Sequence, residues 1–353
     1  MQPSRGFWLA LPRPIVALSP MDGVTDVVAR AIALRHGQPD LTITEFVSVE
    51  GLVRGAIALL EDLRFIPSDR PVIAQLYGTD PSAYRVCATI ACALGFDGID
   101  INMGCPALTV ANRGAGAALI RNPDLARRII ASVREGIDDW GLGKSLARTV
   151  DHPRLRRAIA ERVARTETRG RTGAIPVSVK TRIGFDSIEA ERWVADLAAA
   201  EPAAITLHGR TLKQMYSGTA NWDAIGRAAE HLRGSGIVVL GNGDVADRRE
   251  ALARCRDYGV DGVLIGRATI GNPWAFLGQE ATVAQRLRVA IEHAELFATA
   301  HASRPFMAVR RHLHGYARGF AGASELRRQL MLAPDATRAR DLLEGALVVS
   351  AAA

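Results

Sequence analysis

The residue whose type and setting most directly suggest chemistry is Cys105. It stands in Asn102-Met103-Gly104-Cys105-Pro106, a glycine- and proline-constrained loop that follows the apolar run GIDINM (98–103). A free thiol with a pKa near about 8.5 is mostly protonated at neutral pH and can serve as a general acid. With a base beside it, the same thiol can serve as a nucleophile. Cys87, Cys92 and Cys255 lie in helix-like stretches and are expected to be packing residues. Lys180 ends a second apolar run, where its ammonium can stabilise negative charge on a reduced cofactor ring or an enolate, unless it only snorkels to solvent. His208 in Leu207-His208-Gly209-Arg210-Thr211 can hydrogen-bond a cofactor or substrate, although a lone histidine is more often structural. Asn242-Gly243-Asp244 and Gly266-Arg267 end two more runs. Glycines let backbone N–H groups approach a phosphate and Arg267 adds a charged fork, but tight turns need glycine too.

These residues share a position, each at the end of a short β-branched run. Eight such runs occur, at 15–20, 41–47, 72–77, 98–103, 176–181, 204–208, 237–242 and 261–266. They lack polar alternation, as parallel strands buried on both faces do. Helix-length amphipathic stretches separate them. Pro81 opens one that reaches Leu94, and Pro123 opens another with Leu125, Ile129 and Val133 four apart. Eight β/α units in about 250 residues fit a TIM (β/α)8 barrel better than an open doubly wound sheet. In that architecture function lies at the C-terminal ends of the strands, and the last two ends are where phosphate binds. The expected organisation is a barrel over 1–280, with a basic helical excursion at 141–173, and a C-terminal helical domain over 281–353. Loops in the latter are expected near Ser303–Pro305 and Ala333–Pro334.

The composition agrees with a folded protein. Of 353 residues, 48% are apolar and 23% charged, which excludes a disordered or collagen-like chain. The net charge of +7 is concentrated. Segment 141–173 holds nine Lys/Arg against three Asp/Glu, and segment 285–328 holds eight Arg against three Glu. Such fields suit a polyanion, although a solvated arginine-rich surface is the plainer explanation. No apolar run is long enough to span a bilayer, and the start MQPSRGFWLALPRP is too short and proline-broken for a signal peptide. Four cysteines make neither a disulfide framework nor zinc-type pairs, so a reducing cytoplasm, no metal, no membrane partner and a monomer are the expectations.

Taken in order, the strand ends resemble those of the tRNA-dihydrouridine synthases. The matching segments are Ser19-Pro20-Met21-Asp22-Gly23-Val24-Thr25-Asp26, Ile43-Thr44-Glu45-Phe46-Val47, Gln75-Leu76-Tyr77-Gly78 and Asp100-Ile101-Asn102-Met103-Gly104-Cys105-Pro106. Val179-Lys180-Thr181-Arg182, His208-Gly209-Arg210-Thr211, Asn242-Gly243-Asp244 and Gly266-Arg267 follow. The likeness extends through Arg311-His312-Leu313, Tyr316, Gly319 and Glu325-Leu326-Arg327, and is greatest to the bacterial C-type branch. It implies an FMN enzyme reduced by NADPH that passes hydride to C6 of a D-loop uridine in tRNA, with Cys105 protonating C5. It implies FMN contacts from Pro20, Met21, Asp22, Gln75, Lys180, His208, Asn242, Gly243, Asp244, Gly266 and Arg267. Asn102 and Arg182 would hold the uracil edge, and the helical tail, through residues such as Arg310 and Arg311, would grip tRNA. Two features depart from the family pattern: the length of 141–173, and Ser48 where the C-type branch usually carries an arginine. The rival readings are a dihydroorotate dehydrogenase-like flavin barrel acting on a free pyrimidine, which leaves the basic tail unexplained, and an inactive RNA-binding barrel.

Overall fold

In a computed structural model, residues 5–165, 174–301 and 304–351 are described. The far end of the basic excursion (166–173) and Ser303 of the expected tail loop lie outside them. Eight strands form, β1 Ile15–Leu18, β2 Thr42–Ser48, β3 Val72–Tyr77, β4 Gly98–Met103, β5 Val177–Arg182, β6 Ala204–His208, β7 Val238–Asn242 and β8 Gly262–Ile265. They make one all-parallel sheet in the order β1-β8-β7-β6-β5-β4-β3-β2, the cyclic order of a TIM barrel. Across the seam, the Asp40 N–H donates to Val16 O at 3.0 Å and the Leu18 N–H to Leu41 O at 3.4 Å, so β1 meets β2. Strand residues are buried on both faces, which is why their sequences run apolar without alternation.

The helices between strands are α1 Val27–His36, α2 Val49–Val53, α3 Pro81–Leu94, α4 Leu108–Ala111, α5 Pro123–Gly141, α6 Leu146–Thr149, α7 Pro153–Arg165, α8 Ala190–Ala198, α9 Trp222–His231 and α10 Arg248–Tyr258. Their starts are chemically marked. Asp26, Asp80, Asn122 and Asp247 accept first-turn N–H groups of α1, α3, α5 and α10. Gly95 and Gly259 end α3 and α10 in the left-handed conformation. Ser48 spends its hydroxyl capping α2, accepting from the Gly51 N–H at 3.1 Å.

Over its described residues the excursion carries α6 and α7, and it is anchored. Val150, Leu155 and Ile159 are buried in the main core, and the Arg162 guanidinium donates to Leu60 O and, at 2.6 Å, to Leu63 O of a 3-10 turn, Ile57–Leu63. After the barrel come α11 Val283–Ala300, α12 Arg310–Tyr316, α13 Ala323–Leu330 and α14 Ala336–Ala351. Leu287, Phe297, Leu313, Leu330 and Leu343 share a core with Val27, Val28 and Ile32 of α1, so the tail packs on the barrel's flank. A break between α12 and α13, not expected from the sequence, falls where Gly319 and Gly322 adopt positive φ. Among the described residues no helix is long and apolar enough to cross a membrane.

Candidate active site

The C-terminal strand ends surround a cavity of about 930 Å³. Its lining includes Pro20, Met21, Asp22, Gln75, Asn102, Cys105, Lys180, Arg182, His208, Asn242, Gly243, Asp244, Gly266, Arg267 and Arg311. One residue singled out from the sequence is elsewhere. Arg310 turns its guanidinium to Ala333 O (3.0 Å) and Met331 O (2.9 Å), tying α12 to the end of α13.

Strand register builds one side of the cavity. Gln75, Asp100 and Ser178 are neighbours across β3, β4 and β5, and Asn102 pairs with Lys180 one layer higher. A directed chain of hydrogen bonds results. Gln75 Nε2 donates to Asp100 Oδ2 (2.7 Å) and Ser178 Oγ donates to Asp100 Oδ1 (2.7 Å). The Gln75 carbonyl thereby faces Asn102, whose Nδ2 donates to Gln75 Oε1 (3.0 Å). Asn102 Oδ1 then accepts the N–H groups of Gly104 (3.1 Å) and Cys105 (2.9 Å). A buried carboxylate can only accept, so Asp100 fixes which way both amides point.

Arg182 braces the same loop, donating through Nε to Gly104 O (2.8 Å) and through Nη1 to Thr211 O (3.0 Å) and Met215 O (2.8 Å). Gly116, at φ +61°, packs under Cys105, because a Cβ there would lie 2.7 Å from Cys105 O. Burial raises the Cys105 thiol above its ordinary pKa, and Asp22 adds to this. The Ala107 N–H, Arg182 and Lys180 pull the other way without reversing it. Cys87, Cys92 and Cys255 are buried in the core.

The opposite side is cationic. Lys180 Nζ donates to Asn242 Oδ1 (2.9 Å), and Asn242 Nδ2 to Leu264 O (2.9 Å). Burial and Arg182 pull the ammonium down to about 8, against the opposing pull of Asp100. His208 is driven down to about 2 by burial and by Lys180, Arg182, Arg210 and Arg267, so its ring is neutral at working pH. Arg210, 3% exposed, donates through Nη2 to Asp244 Oδ2 (2.6 Å) and Gly218 O (2.6 Å), while Arg267 Nη2 reaches Asp244 Oδ1 (2.8 Å). Burial raises Asp244, but Arg210, the Ala220 N–H and Arg267 outweigh it and hold the carboxyl below the usual range. Asp244 is therefore a clamp that holds two guanidinium groups at the ends of β6 and β8.

Glycine makes room at this pole. Gly243 has φ +126°, and a Cβ there would lie 2.7 Å from Ala220 Cβ, whereas a Cβ at Gly266 would meet nothing closer than Met21 Sδ and Ser19 Cβ at 3.6 Å. A deep slot closed by glycine backbone, three cationic side chains and a neutral imidazole fits a flat ring system with a phosphorylated tail. Among the described residues no group of three or more His, Cys, Asp or Glu could hold a metal ion.

Among the lining residues to which sequence reasoning gave no role are Arg210 and Tyr216. Arg210 carried a signal in its place two residues past His208, at a strand end. Tyr216, mostly exposed and 5.9 Å from the Arg182 guanidinium, lies on a loop whose sequence gives no such signal.

Comparison with known proteins agrees with this geometry. A 2-naphthoyl-CoA reductase in complex with 2-naphthoyl-CoA superposes with a TM-score of 0.50 at 8% identity, covering 75% of this chain and 49% of that one, a likeness of fold alone. The chain is 34% identical over 348 residues to a "Probable tRNA-dihydrouridine synthase" of Staphylococcus aureus strain MRSA252, covering 96% of this chain and 94% of the relative. It is 31% identical over 352 residues to "Probable tRNA-dihydrouridine synthase 2" of Bacillus subtilis strain 168, covering 97% and 96%. The sequence model described as "Dihydrouridine synthase (Dus)" matches residues 16–140 and 152–352, leaving only 141–151 of the basic excursion outside it. The chain thus belongs to the dihydrouridine synthase family of oxidoreductases.

Proposed function

We propose that this protein reduces the C5–C6 double bond of a D-loop uridine in tRNA, using bound FMN and NADPH as reductant. The observation that carries the reading is the pairing, in one cavity, of a proton-bearing thiol on the β4 loop with a cationic, glycine-lined pole at the ends of β7 and β8. Arg267, Arg210 and the backbone at Gly243 and Gly266 would hold the FMN phosphate, and Lys180, Gln75, Met21 and Pro20 would border its ring. Bound FMN supplies the hydride that adds to C6.

The protein's own groups do the remaining work. Hydride at C6 leaves enolate-like charge over C5 and O4, and Cys105 Sγ–H delivers the proton to C5, a contribution of roughly 10²–10⁴-fold. Asn102 and Arg182 border the uracil site, and because both also position the Gly104–Cys105 loop, they tie base recognition to the placement of the thiol. A base in a duplex or stacked loop must leave its stack to enter such a slot. Arg311 at the cavity mouth and the helical region from 281 onward would bear on the tRNA backbone, with the barrel proper taken as 1–280. A tRNA substrate and four free cysteines suit the cytoplasm.

The test is reduction of bulk unmodified tRNA by NADPH with the purified yellow protein, compared with free uracil and orotate. Turnover of tRNA alone is the expected result. Turnover of the free pyrimidines alone would reject this reading for the dihydroorotate-like one.

A further inference from the structure

The fold brings the two basic stretches, far apart in sequence, to flank one short element. From one side Arg64, just after the 3-10 turn Ile57–Leu63, donates to Ala300 O at the end of α11 (2.6 Å), and Arg304 pairs with Asp62. From the other side Arg162 of α7 donates to the carbonyls of Leu60 and Leu63. The basic excursion is thus fixed beside the tail.

It is also joined to the cavity. The turn at Gly114, beyond the Cys105 loop, lies against Thr79, since a Cβ at Gly114 would sit 3.8 Å from Thr79 Cγ2. The N–H groups of Thr79 and Asp80 donate to Glu50 Oε1 of α2 (2.6 and 3.0 Å). Gly55, just past α2, faces the His152 imidazole so closely that a Cβ would fall 2.2 Å from it, and His152 precedes α7. Gly114, Thr79 and Gly55 all belong to loops that leave the C-terminal ends of β4, β3 and β2, the face that holds the cavity.

Along this path stand Arg113, Arg54, Arg148 and Arg154, all exposed and none in a close ion pair among the described residues, although the charge of Arg54 reaches the Asp80 carboxylate. Elsewhere the surface is mixed: Arg121 pairs with Asp186 and Arg227 with Glu191, whereas Arg128, Arg256, Arg288 and Arg338, on α5, α10, α11 and α14, are exposed without an ion pair among the described residues. What sets Arg113, Arg54, Arg148 and Arg154 apart is their place on or beside the linked segments of the face that holds the cavity. Exposed guanidinium groups gathered on the face of a cavity are what phosphate backbones bind.

We propose that Arg113, Arg54, Arg148 and Arg154 form a phosphate track that holds the sugar–phosphate backbone of the substrate tRNA outside the loop being reduced. The proposal rests on the tRNA reading above and assigns the excursion a purpose. Phosphate contacts fix register without reading sequence, so the track sets where the tRNA body lies and leaves choice of base to the cavity.

The experiment measures tRNA affinity against salt concentration for the full-length protein and for the R148E/R154E and R54E/R113E variants, with melting temperature as the control for folding. Each pair is expected to weaken tRNA binding by about tenfold or more at low salt, and to flatten the slope of log Kd against log salt by about one to two. Melting temperatures should be unchanged, because these side chains hold nothing in the fold. If the wild-type protein reduces tRNA but both variants keep its affinity and its salt slope, the track is refuted. A change in oligomeric state with tRNA affinity intact would also refute it, assigning the surface to a second copy of the chain. If the wild-type protein neither binds nor reduces tRNA, the functional reading itself has failed.

Discussion

Replacing Asp100 with asparagine separates the cost of a buried carboxylate from its use. Asp100 is 1% exposed. Burial drives its carboxyl from 3.8 up to about 6, against the bonds from Gln75 and Ser178 and the charge of Lys180. At about 1.36 kcal/mol per pKa unit, ionising this group costs roughly 3 kcal/mol more in the fold than in the unfolded chain. Between pH 3.8 and about 6 the folded protein holds a proton that the unfolded chain has released. Stability therefore falls as pH rises through that window and levels off above it. An amide has the shape of the protonated carboxyl, accepts from Gln75 through Oδ1, can offer Nδ2 to Ser178 Oγ, and does not titrate. D100N should match the wild-type protein near pH 4 and exceed it by up to roughly 3 kcal/mol near pH 7, read by urea unfolding across pH. The same change removes negative charge that supports the proton on Lys180, already pulled down to about 8. The alkaline limb of uridine reduction should then move below pH 8 in the variant. Parallel stability curves for the two proteins would refute the argument from burial. A gain in stability with an unmoved alkaline limb would refute the coupling to Lys180.

Three further outcomes follow from the geometry. C105A should retain bound flavin and its reduction by NADPH, while uridine reduction measured from the pre-reduced enzyme falls by roughly 10²–10⁴-fold. Full uridine reduction would remove the thiol from the mechanism. G241A places a Cβ 2.3 Å from the Trp222 ring, whose Nε1 donates to Gly243 O at 3.0 Å. It should destabilise by about 1–3 kcal/mol and speed flavin loss, read as melting temperature and flavin dissociation rate. R311E should weaken tRNA binding at constant melting temperature, because Arg311 is exposed at the cavity mouth. R310E should instead lower the melting temperature, because it strips the carbonyls of Met331 and Ala333 of their donor. The opposite pattern for these two neighbours would reverse their assignment.

Arg310 and Arg311 also mark where sequence reading stops. Adjacent on one helix, they differ in role because the partners of Arg310 arrive from the end of α13, and no local pattern announces that meeting. The strands were legible for a physical reason. A strand buried on both faces runs apolar from end to end, and its polar terminus stands out, so all eight appear within two residues of their expected limits. Pro81 and Pro123 were legible because a first-turn proline following Asp80 or Asn122 leaves little choice of where the helix begins. Where strand ends are concerned, most of the cavity lining followed. The 3-10 turn Ile57–Leu63 was invisible, since it is held by Arg162 from nearly a hundred residues away. Gly319 and Gly322 did carry a signal for the break between α12 and α13, and only their positive φ in the structure gives it weight.

The sequence left Cys105 two roles, acid or nucleophile, and the surroundings of the thiol favour the first. A nucleophilic thiol needs its pKa lowered, by a neighbouring imidazolium, a helix N-terminus or unopposed cations. Cations are present here, for both Arg182 and Lys180 favour the thiolate, yet burial and Asp22 overrule them and the thiol rises above its ordinary value. The imidazole in the same cavity gives no help as an imidazolium, because His208 is held neutral by burial and by the cations around it. Nor can Lys180 take the proton at pH 7, because with its own pKa at about 8 it is mostly the ammonium and has no free lone pair. Each of these effects leaves the proton on sulfur at neutral pH. The cations that could have drawn it off are committed elsewhere, Arg182 to three loop carbonyls and Lys180 to Asn242. A thiol kept protonated next to a fixed positive field is suited to give its proton to a carbon that has just become electron-rich. By the same reasoning, alkylation of Cys105 by iodoacetamide should be slow at pH 7 and need a more alkaline pH than an ordinary free thiol does, and a fast reaction at neutral pH would overturn the assignment of the acid role.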